Sequence, residues 1–391
     1  MNLTQFTTNR TAITPDQQYV HAATWLEINQ QALEHNIQSY KAVIGSALLA
    51  PVIKSNAYGH GIEQVAKILD NHEAIGMICV VSLSEALTLR TLGIQKPLLV
   101  LSIIDADIKK TALHNITLVV YTIAMAEAMN NVGKEYNKKM SVHVKIDTGL
   151  ARLGVPIDTA LEFITTLSRM PYIHIEGIFT HFANSENKDQ TYMTLQLSRF
   201  VHVLNSLEHH NIHIPYCHAA SSAGITGNLN SHFNMARAGI GIYGLWPSLS
   251  NKERAQKLHP DFTLKPVLSW KTTIIQIKEI PAESYVGYDL TYQTKEATRI
   301  AVLPVGYWDG LSRKLSNKGV ILVHNKQAPI IGRVAMNLTC INITGIDASI
   351  GDEVTLLGAG ISADDLAAQC DTINYEITTR INPLLPRIIK L

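Results

Sequence analysis

Short apolar runs recur at intervals of about 20 to 40 residues through the first two thirds of the chain, and this spacing limits the fold more than any other feature. Between most of the runs, apolar side chains recur at steps of three and four residues, which is the helical period. Eight runs are present: Ala47–Ile53, Met77–Leu83, Leu98–Ser102, Leu118–Tyr121, Val142–Ile146, His174–Thr180, Ile214–His218 and Met235–Ile240. Buried strands that alternate with helices form a parallel sheet, so eight such units predict a closed (β/α)8 TIM-like barrel.

After about Pro266 the pattern changes to alternating polar and apolar residues, which is typical of strands. One short helix is expected at Ala363–Gln369, because Ser362 can cap its first turn. The alternating runs are Ser269–Ile280, Arg299–Val305, Gly319–Val323, Ala328–Ile343 and Glu353–Leu357. The predicted fold class is therefore α/β, with a polar N-terminal extension over 1–22, a barrel over 23–260 and a mostly β domain over 261–391.

The composition is that of a compact globular protein with no polyanionic partner. Hydrophobic residues make up 46% of the 391 residues, charged residues make up 17%, and the net charge is +1. Without a dense block of Lys and Arg, binding to nucleic acid or to a membrane surface is not expected. The longest apolar stretch, 116–126, is too short to cross a bilayer, and residues 1–22 lack the apolar core of a signal peptide. The expected location is the cytoplasm.

The four cysteines indicate neither a metal site nor a disulfide framework. They are scattered and form no CxxC pair: Cys79, Cys217, Cys340 and Cys370. Zinc sites and disulfide-rich folds need closely spaced or paired cysteines, so we expect all four to be small buried side chains in a reducing compartment.

Lys54 follows the first apolar run directly, in the sequence Pro51-Val-Ile-Lys-Ser-Asn-Ala-Tyr-Gly-His-Gly61. Apolar surroundings lower the pKa of an ammonium group, so the free amine can form a Schiff base with an aldehyde. The alternative is a lysine whose side chain simply extends from the strand end into solvent.

The ends of the other strands supply charged and polar neighbours for this lysine. In a (β/α)8 barrel the C-terminal ends of all strands open at one mouth, where the active site lies. We therefore expect a cluster that includes Lys54 after the first strand, Lys145 and Arg152 after the fifth, Thr180-His181-Phe182 after the sixth, His218 to Ser222 after the seventh, and Arg237 to Gly244 after the eighth.

Taken together and in this order, these motifs resemble the alanine racemase family of pyridoxal phosphate (PLP) enzymes, over about residues 23 to 391. Members of that family combine an N-terminal barrel with a C-terminal β domain. The resemblance implies that Lys54 holds PLP covalently and later acts as one of two acid/base groups. It also implies a racemase that interconverts L- and D-alanine, either supplying D-alanine for peptidoglycan or degrading it.

The same resemblance assigns the cofactor contacts. The phosphate is expected at Tyr58, Ser222, Gly239 and Ile240, although Ser222 and its neighbour Ser221 fit a plain turn as well. Arg237 matches the arginine that faces the pyridine nitrogen. Because arginine stays protonated, it keeps that nitrogen free of a proton and favours simple proton return over transamination or elimination. A structural ion pair is the alternative for Arg237.

Racemisation needs a second group on the opposite face of the substrate Cα, and the resemblance points to Tyr288. In the family this tyrosine enters the active site from the partner subunit, which implies a homodimer with two shared sites. Since a tyrosine with an ordinary pKa of about 10 is a weak base at neutral pH, positive charge from His181 or Arg237 is expected to favour the phenolate. Without the resemblance, Tyr288 would be interpreted as a packing residue of a strand.

Three further residues complete the site that the resemblance implies. Arg152 is expected to hold the phenolic oxygen of the cofactor and the region of the substrate carboxylate. Lys145 matches a lysine that many members carry as a carbamate, which orients that arginine; an ion pair between Lys145 and an aspartate is the alternative. The backbone N–H of Met336 would bind the substrate carboxylate from the partner chain, although its side chain could simply belong to the core.

Three positions depart from the family pattern. Asp289 stands where glycine is frequent, Asn337 where aspartate is usual, and Pro383 where a tyrosine lines the path to the substrate. Loss of that aromatic ring opens space, so we expect side chains larger than methyl, such as that of serine, to be accepted.

Two other functions remain open from the sequence. A PLP-dependent amino-acid decarboxylase can share the barrel, but such enzymes carry a Glu-Pro-Gly-Arg phosphate motif and an acidic partner for the pyridine nitrogen, and neither is found in this sequence. A non-catalytic PLP carrier is a barrel alone, whereas this chain continues for about 125 residues beyond it.

Overall fold

The structure is a computed structural model that describes residues 23–391, so the predicted extension over 1–22 lies outside the described residues. The chain divides into two compact units. The barrel unit is formed by Asn29–Val267, and the β unit is formed by the described residues up to Ile28 together with Leu268–Lys390. Residues 23–28, which the predicted barrel range included, therefore lie in the β unit.

The strands, in chain order, are β1 (Thr24–Asn29), β2 (Leu48–Pro51), β3 (Ile78–Ser82), β4 (Leu98–Ile103), β5 (Ile116–Val120), β6 (Met140–Asp147), β7 (Val155–Pro156), β8 (Ile173–Phe179), β9 (Tyr216–His218), β10 (Met235–Ala238), β11 (Leu268–Thr273), β12 (Gln276–Ile280), β13 (Thr298–Leu303), β14 (Val320–Val323), β15 (Lys326–Pro329), β16 (Thr339–Asn342), β17 (Glu353–Leu357) and β18 (Arg387–Lys390).

The helices are α1 (Gln30–Ile44), α2 (Lys54–Tyr58), α3 (Ile62–Asp70), α4 (Leu83–Thr91), α5 (Lys109–His114), α6 (Ile123–Glu135), α7 (Ile157–Ser168), α8 (Thr191–His209), α9 (Ser222–Gly227), α10 (Leu249–Leu258), α11 (Ala363–Cys370) and α12 (Asn374–Thr379). Within residues 23–391, none of these helices combines the length and the apolar character that a membrane crossing requires.

Besides the two-residue β7, which pairs with β6, the barrel unit contains eight parallel strands at the eight predicted positions, and the α/β barrel prediction is confirmed. Strands β3, β4, β5, β6, β8 and β9 pair in that order, and β10 pairs with β2. Bridges at Leu49/Ile75 and Val52/Cys79 connect β2 to the segment around β3. The Arg237 N–H donates to the Ala220 C=O (3.1 Å) and so connects β10 to the residues after β9.

The sequence of the inner strands explains why they lie in the centre of this unit. Ile78–Val80, Leu98–Val100 and Leu118–Val120 are fully buried, as expected for a parallel sheet that has both faces covered. Ser82 ends β3 and Ser102 lies next to the end of β4, at the C-terminal ends of the strands, where a barrel of this kind carries its chemistry.

The β unit has a six-stranded sheet in the order β15-β14-β17-β11-β1-β18 and a three-stranded sheet in the order β12-β13-β16. Strand β1 pairs antiparallel with β11, and this pairing brings residues 24–28 into the unit. The predicted run 328–343 is divided between β15 and β16, and the loop between them carries Met336. Helix α11 begins at a capping box in which Ser362 and Asp365 bond each other's backbone N–H, as the sequence predicted for Ser362.

Candidate active site

Lys54 opens a turn with an uncommon backbone. The four residues that follow it, Ser55 to Tyr58, have φ angles of 54°, 55°, 53° and 54°, so they form a left-handed helical turn. For residues with a side chain this conformation costs about 1–2 kcal/mol each. Two side chains hold the turn in place: the Glu85 carboxylate accepts the Ser55 N–H (2.6 Å), and Asn56 Oδ1 accepts the Ile62 N–H (2.8 Å).

The surroundings of Lys54 favour its neutral form. Burial lowers the pKa of this amine, and the positive charge of Arg152 lowers it further, while the Glu85 carboxylate opposes both effects. A lowered pKa increases the fraction of free amine at neutral pH, which is what the formation of a Schiff base requires.

Lys145, at the end of β6, is buried among other cations. Its pKa is lowered to about 8, first by burial and then by the charges of Arg152 and Arg237. Asp147 is nearby in sequence, but its Oδ1 accepts the backbone N–H groups of the three residues 149–151 (2.9, 3.0 and 3.1 Å). Among residues 23–391, no carboxylate forms an ion pair with Lys145, so the alternative of a pair with an aspartate is not seen.

Arg237, on β10, is held rigidly in the barrel interior. One guanidinium nitrogen donates to His218 Nδ1, and the other donates to the C=O groups of Thr180 (2.9 Å) and Ala219 (3.0 Å). Burial lowers the pKa of Arg237 to about 10, so the group stays protonated at neutral pH. Within the described residues it pairs with no carboxylate, in contrast to the alternative of a structural ion pair.

Two histidines and a glutamate continue the contacts of Arg237 through the barrel. His218 Nε2 lies 2.8 Å from His143 Nδ1, and His143 Nε2 lies 3.4 Å from Glu176 Oε2. Because Arg237 can only donate, His218 Nδ1 must accept, which assigns the protons to Nε2 in both histidines. Burial lowers the pKa of both imidazoles, so both histidines are neutral. The series of contacts that starts at Arg237 ends at the Glu176 carboxylate.

His181 differs from the expectation that it adds positive charge. Its Nδ1 lies 3.4 Å from Arg237 Nη2, within the same buried cluster. Burial, followed by the charge of Arg237, lowers the pKa of His181 well below its ordinary value. The imidazole is therefore neutral at physiological pH, and the positive charge at this point of the site belongs to Arg237.

A small cradle of backbone N–H groups lies at the end of β10. Ser222 Oγ accepts the N–H groups of Gly239 (2.9 Å) and Gly241 (3.3 Å), while the Ile240 N–H has no acceptor among residues 23–391. A Cβ on Gly239 would lie 2.6 Å from the Tyr58 hydroxyl oxygen, so only glycine lets this phenol approach the backbone. The cradle thus brings together an open N–H, the Ser222 hydroxyl and the buried Tyr58, residues that the resemblance assigned to a phosphate.

These residues suit the phosphate and aldehyde groups of PLP. Lys145 and Arg237 are buried and Arg152 is exposed, and none of the three forms an ion pair within residues 23–391. Buried cations without a carboxylate partner favour the binding of an anion. The open Ile240 N–H suits a phosphate oxygen, and the lowered pKa of Lys54 suits an aldehyde. Among the described residues, no cluster of side chains is suited to hold a metal ion.

The two remaining predicted site residues belong to the β unit. Tyr288 begins a short 3-10 turn and is 70% exposed, and Met336 is 54% exposed. The Met336 C=O accepts the Trp308 N–H (3.0 Å), whereas its own N–H has no acceptor among residues 23–391. The departures Asn337 and Pro383 are also exposed in this unit.

Sequence reasoning missed residues that hold the predicted site residues in place. His218 was included in the predicted cluster without a role, whereas Glu85, which contacts the turn after Lys54, and His143 and Glu176, which continue the contacts of His218, were not named. His143 could have been found, because it lies two residues before Lys145 and therefore on the same face of β6. Glu85 gave no signal beyond that of an acidic residue in the first turn of a helix.

Comparison with known proteins agrees with this geometry over nearly the whole chain. Residues 28–247 match the family model "Alanine racemase, N-terminal domain", and residues 267–389 match "Alanine racemase, C-terminal domain". The chain is 37% identical over 373 residues to an alanine racemase of Methanococcus maripaludis, covering 93% of this chain and 98% of the relative. It is 38% identical over 374 residues to one of Halothermothrix orenii, covering 94% and 97%.

Solved structures show the same likeness. An alanine racemase of Clostridium difficile 630 superposes with a TM-score of 0.89 at 31% identity, covering 95% of this chain and 96% of that one. An alanine racemase of Bacillus anthracis with bound L-Ala-P superposes with a TM-score of 0.85 at 32% identity, with the same coverage.

Proposed function

The chain belongs to the alanine racemase family of isomerases, and from this premise we propose that it interconverts L- and D-alanine in a PLP-dependent reaction with two acid/base groups. The observation that carries the proposal is the group of buried or partly buried cations at the barrel mouth, around an amine whose pKa is lowered. The product would serve peptidoglycan synthesis or be degraded, and the cytoplasm is the proposed location.

Within this proposal, Lys54 holds the cofactor, and Tyr58, Ser222, Gly239 and Ile240 hold its phosphate. When bound, PLP supplies an aldehyde that captures the substrate amino group and a conjugated ring that acidifies the Cα–H bond. The Ile240 N–H and the Ser222 hydroxyl bind the phosphate, and Tyr58 closes the cradle from the side of the left-handed turn.

Lys54 and Tyr288 are the two groups that move the proton at the substrate Cα. One removes it from one face and the other delivers a proton to the opposite face, which inverts the centre. The lowered pKa of Lys54 increases the fraction of its amine that is free to act as a base. His181 contributes as a neutral hydrogen-bonding group, since the charge in its neighbourhood is that of Arg237.

Arg237 sets the outcome of the reaction by opposing protonation of the pyridine nitrogen. It is protonated and rigidly bound and cannot accept a proton, so a pyridine nitrogen beside it would stay unprotonated. The ring would then stabilise electrons at Cα less well than a protonated ring, which would favour return of the proton to Cα. A decarboxylase would need an acidic group at this point.

Lys145 and Arg152 orient the substrate side of the cofactor. A carbamate on Lys145 would convert one of the cations into an anion and bind Arg152, and a pKa of about 8 provides the neutral amine that carbon dioxide needs. The open backbone N–H of Met336 binds the substrate carboxylate.

A homodimer is part of the proposal, because Tyr288 and Met336 then come from the partner subunit. An exposed apolar patch in the β unit supports an interface there. The backbone N–H groups of Tyr307 and Trp308 bond the C=O groups of Ala335 and Met336, which brings the two loops side by side (3.0 Å each). The patch comprises Tyr288, Leu290, Tyr307, Trp308, Met336 and Leu338, each between 45% and 70% exposed. Patches of this kind mark interaction surfaces.

One assay tests the proposal. The purified chain is supplied with PLP and single enantiomers of alanine, serine or lysine, and the products are resolved by chiral chromatography. Inversion of alanine is the expected result, whereas loss of carbon dioxide would indicate a decarboxylase and unchanged amino acid a carrier. Lys54→Ala should abolish inversion, and Tyr288→Phe should slow it severely.

The same assay tests the substrate range. Pro383 removes an aromatic ring from the path to the substrate, so measurable inversion of serine is expected beside that of alanine. Restoring the ring with Pro383→Tyr should reduce the rate on serine more than the rate on alanine. Inversion confined to alanine would exclude the broader range.

A further inference from the structure

Asp289, which directly follows the proposed proton-transfer residue Tyr288, is shared by two arginines. Its Oδ2 lies 3.6 Å from Arg313 Nη2 and 3.3 Å from Arg333 Nε. The arginines belong to separate segments of the β unit, since Arg313 begins a 3-10 turn and Arg333 lies in the loop between β15 and β16. Because glycine is frequent at this position in the family pattern, the link depends on a residue in which this chain departs from that pattern.

The turn that carries Tyr288 has an unusual backbone and few other supports. Gly287, Asp289 and Leu290 have φ angles of 76°, 63° and 51°, a region that residues with side chains rarely adopt and that aspartate tolerates better than most. The Val286 N–H donates to the Tyr292 C=O (3.0 Å) and closes the base of the hairpin. From residues 288–290, the polar contacts to other segments of the described chain are the two ion pairs of Asp289.

A second, uncharged link joins the same hairpin to the same loop. Asn317 Nδ2 donates to the C=O (3.2 Å) and the Oγ1 (3.1 Å) of Thr291, and Asn317 Oδ1 accepts the Gly332 N–H (2.7 Å). Asn317 therefore fixes the end of the hairpin to the residue before Arg333. Asp289 fixes the tip of the hairpin to Arg333 itself, three residues before Met336.

From these contacts we infer that Asp289 is a positioning residue that holds the Tyr288 turn in register with the Arg333–Met336 loop. The inference rests on the proposed function, in which the Tyr288 phenol transfers a proton and the Met336 N–H binds the substrate carboxylate. Since both groups belong to one β unit, a fixed spacing between their loops sets where the phenol stands relative to a bound substrate. Asp289 also offsets part of the positive charge of two guanidinium groups beside that turn.

The variant Asp289→Asn removes the charge but keeps a residue that tolerates positive φ. We expect kcat/KM for alanine to fall about threefold to tenfold, the range that two partly exposed ion pairs can supply. The informative readout is the primary isotope effect with Cα-deuterated substrate. Tyr288 removes the deuteron from only one enantiomer and delivers the proton when the other enantiomer reacts, so the isotope effect on kcat/KM should rise for the first enantiomer and fall for the second.

Two further variants distinguish the effect of the Asp289 charge from an effect of backbone strain and from a general loss of activity. Asp289→Gly relaxes the backbone but also loses the charge, so it should be as slow as Asp289→Asn. Glu353→Gln is the matched control, because Glu353 is another exposed carboxylate of the β unit, paired with Lys271 at 2.7 Å, and it should match the parent chain. Arg333→Ala combined with Asp289→Asn should be no slower than the slower of the two single variants.

Parent rates in Asp289→Asn or Asp289→Gly, or an isotope effect that rises equally for both enantiomers, would overturn the inference while the proposed function stands. Failure of the parent chain to invert alanine would instead overturn the proposed function, and this inference with it.

Discussion

The charges of individual residues at the barrel mouth determine what this site can bind. Lys145 and Arg237 are buried cations, and neither has a carboxylate partner within residues 23–391. A buried charge without a partner is costly, so an arriving anion or a chemical change that removes the charge is favoured. The lowered pKa of Lys145 is the measurable consequence of this imbalance.

The lowered pKa of Lys145 would make the proposed carbamylation of this residue depend on pH. Because that pKa is lowered to about 8, the neutral amine is scarce below pH 8 and predominates above it, and only the neutral amine forms a carbamate. In ¹³C-bicarbonate we expect the carbamate NMR signal of the purified protein to rise as the pH is raised through 8. Lys145→Met should remove the signal, and Lys139→Met, at an exposed lysine, should leave it. A signal that survives in Lys145→Met would contradict the assignment.

Gly239 gives a second prediction at this scale. Gly239→Ala places a methyl group 2.6 Å from the Tyr58 hydroxyl oxygen, so the backbone and the phenol must move apart. Affinity for PLP, measured by absorbance titration, should fall by about tenfold, equivalent to about 1.4 kcal/mol. The double variant Gly239→Ala with Tyr58→Phe, which removes the crowded oxygen, should recover part of the loss. No recovery would mean that the glycine is needed for another reason.

Residue-level prediction from sequence was possible where a side chain lies at or near the end of a strand. The strand pattern locates the strand ends, and in the structure Lys54 follows β2 while Lys145 and Arg237 lie in the last residues of β6 and β10. The charge state of His181 could not be predicted in this way, because it depends on burial and on the guanidinium of Arg237. Neither quantity can be obtained from a linear pattern.

At the scale of elements, the left-handed turn Ser55 to Tyr58 is the least predictable part of the barrel unit. None of its four residues is a glycine, which would indicate a positive φ. The turn also depends on a hydrogen-bond acceptor from another element, the Glu85 carboxylate on α4. Glu85 Oε2 also accepts the Val81 N–H (2.9 Å), so one carboxylate ties β3 to the turn after Lys54. Hydrogen bonds between residues this far apart in the chain cannot be recognised from the local sequence.

Removing this support should destabilise the fold. In Glu85→Ala the N–H groups of Ser55 and Val81 lose their acceptor, and an unpaired group of this kind costs about 1–3 kcal/mol when buried, and less where water reaches it. We expect a lower free energy of unfolding in urea, together with weaker binding of PLP at the altered turn. Glu127→Ala, at an exposed position on α6, is the matched control. Equal stability of the two variants would remove Glu85 from the account of this turn.

Helix α11 offers a simpler test in the β unit. Ser362→Ala removes the hydroxyl that accepts the Asp365 N–H (3.0 Å) and breaks the capping box. The free energy of unfolding should fall by about 1 kcal/mol. Since the start of this helix was predicted from the Ser362 cap, a stability equal to that of the parent would show that packing, and not the cap, sets where the helix begins.

At the scale of the whole molecule, the eight-strand period predicted the barrel because strand and helix alternation is recorded in hydrophobicity alone. The assignment of residues 24–28 to the β unit could not be predicted, because β1 joins β11 some 240 residues later in the chain. Pairing over such a separation depends on the complete fold. Whether the chain forms a homodimer cannot be predicted from the hydrophobic pattern either, because an interface is a surface that forms only when the chain has folded.

The exposed apolar patch of the β unit supplies the last prediction. If this surface is the interface of a homodimer, Leu338→Glu places a charge where an apolar contact is expected, and burying an unpaired charge is costly. Sedimentation at micromolar concentration should show a dimer for the parent chain and a monomer for the variant. Racemisation should be lost together with the dimer, because Tyr288 and Met336 would no longer reach a partner's barrel. The PLP absorbance should persist, since every proposed cofactor contact lies in the barrel unit.

Leu113→Glu is the control, because Leu113 is another exposed leucine, on α5 of the barrel unit, and belongs to no proposed interface. It should remain dimeric and active. A monomeric parent chain that racemises alanine at full rate would require Tyr288 to act within its own chain, and the shared site would have to be abandoned. A Leu338→Glu variant that stays dimeric but loses activity would instead assign the patch to substrate access, with the dimer contacts lying elsewhere.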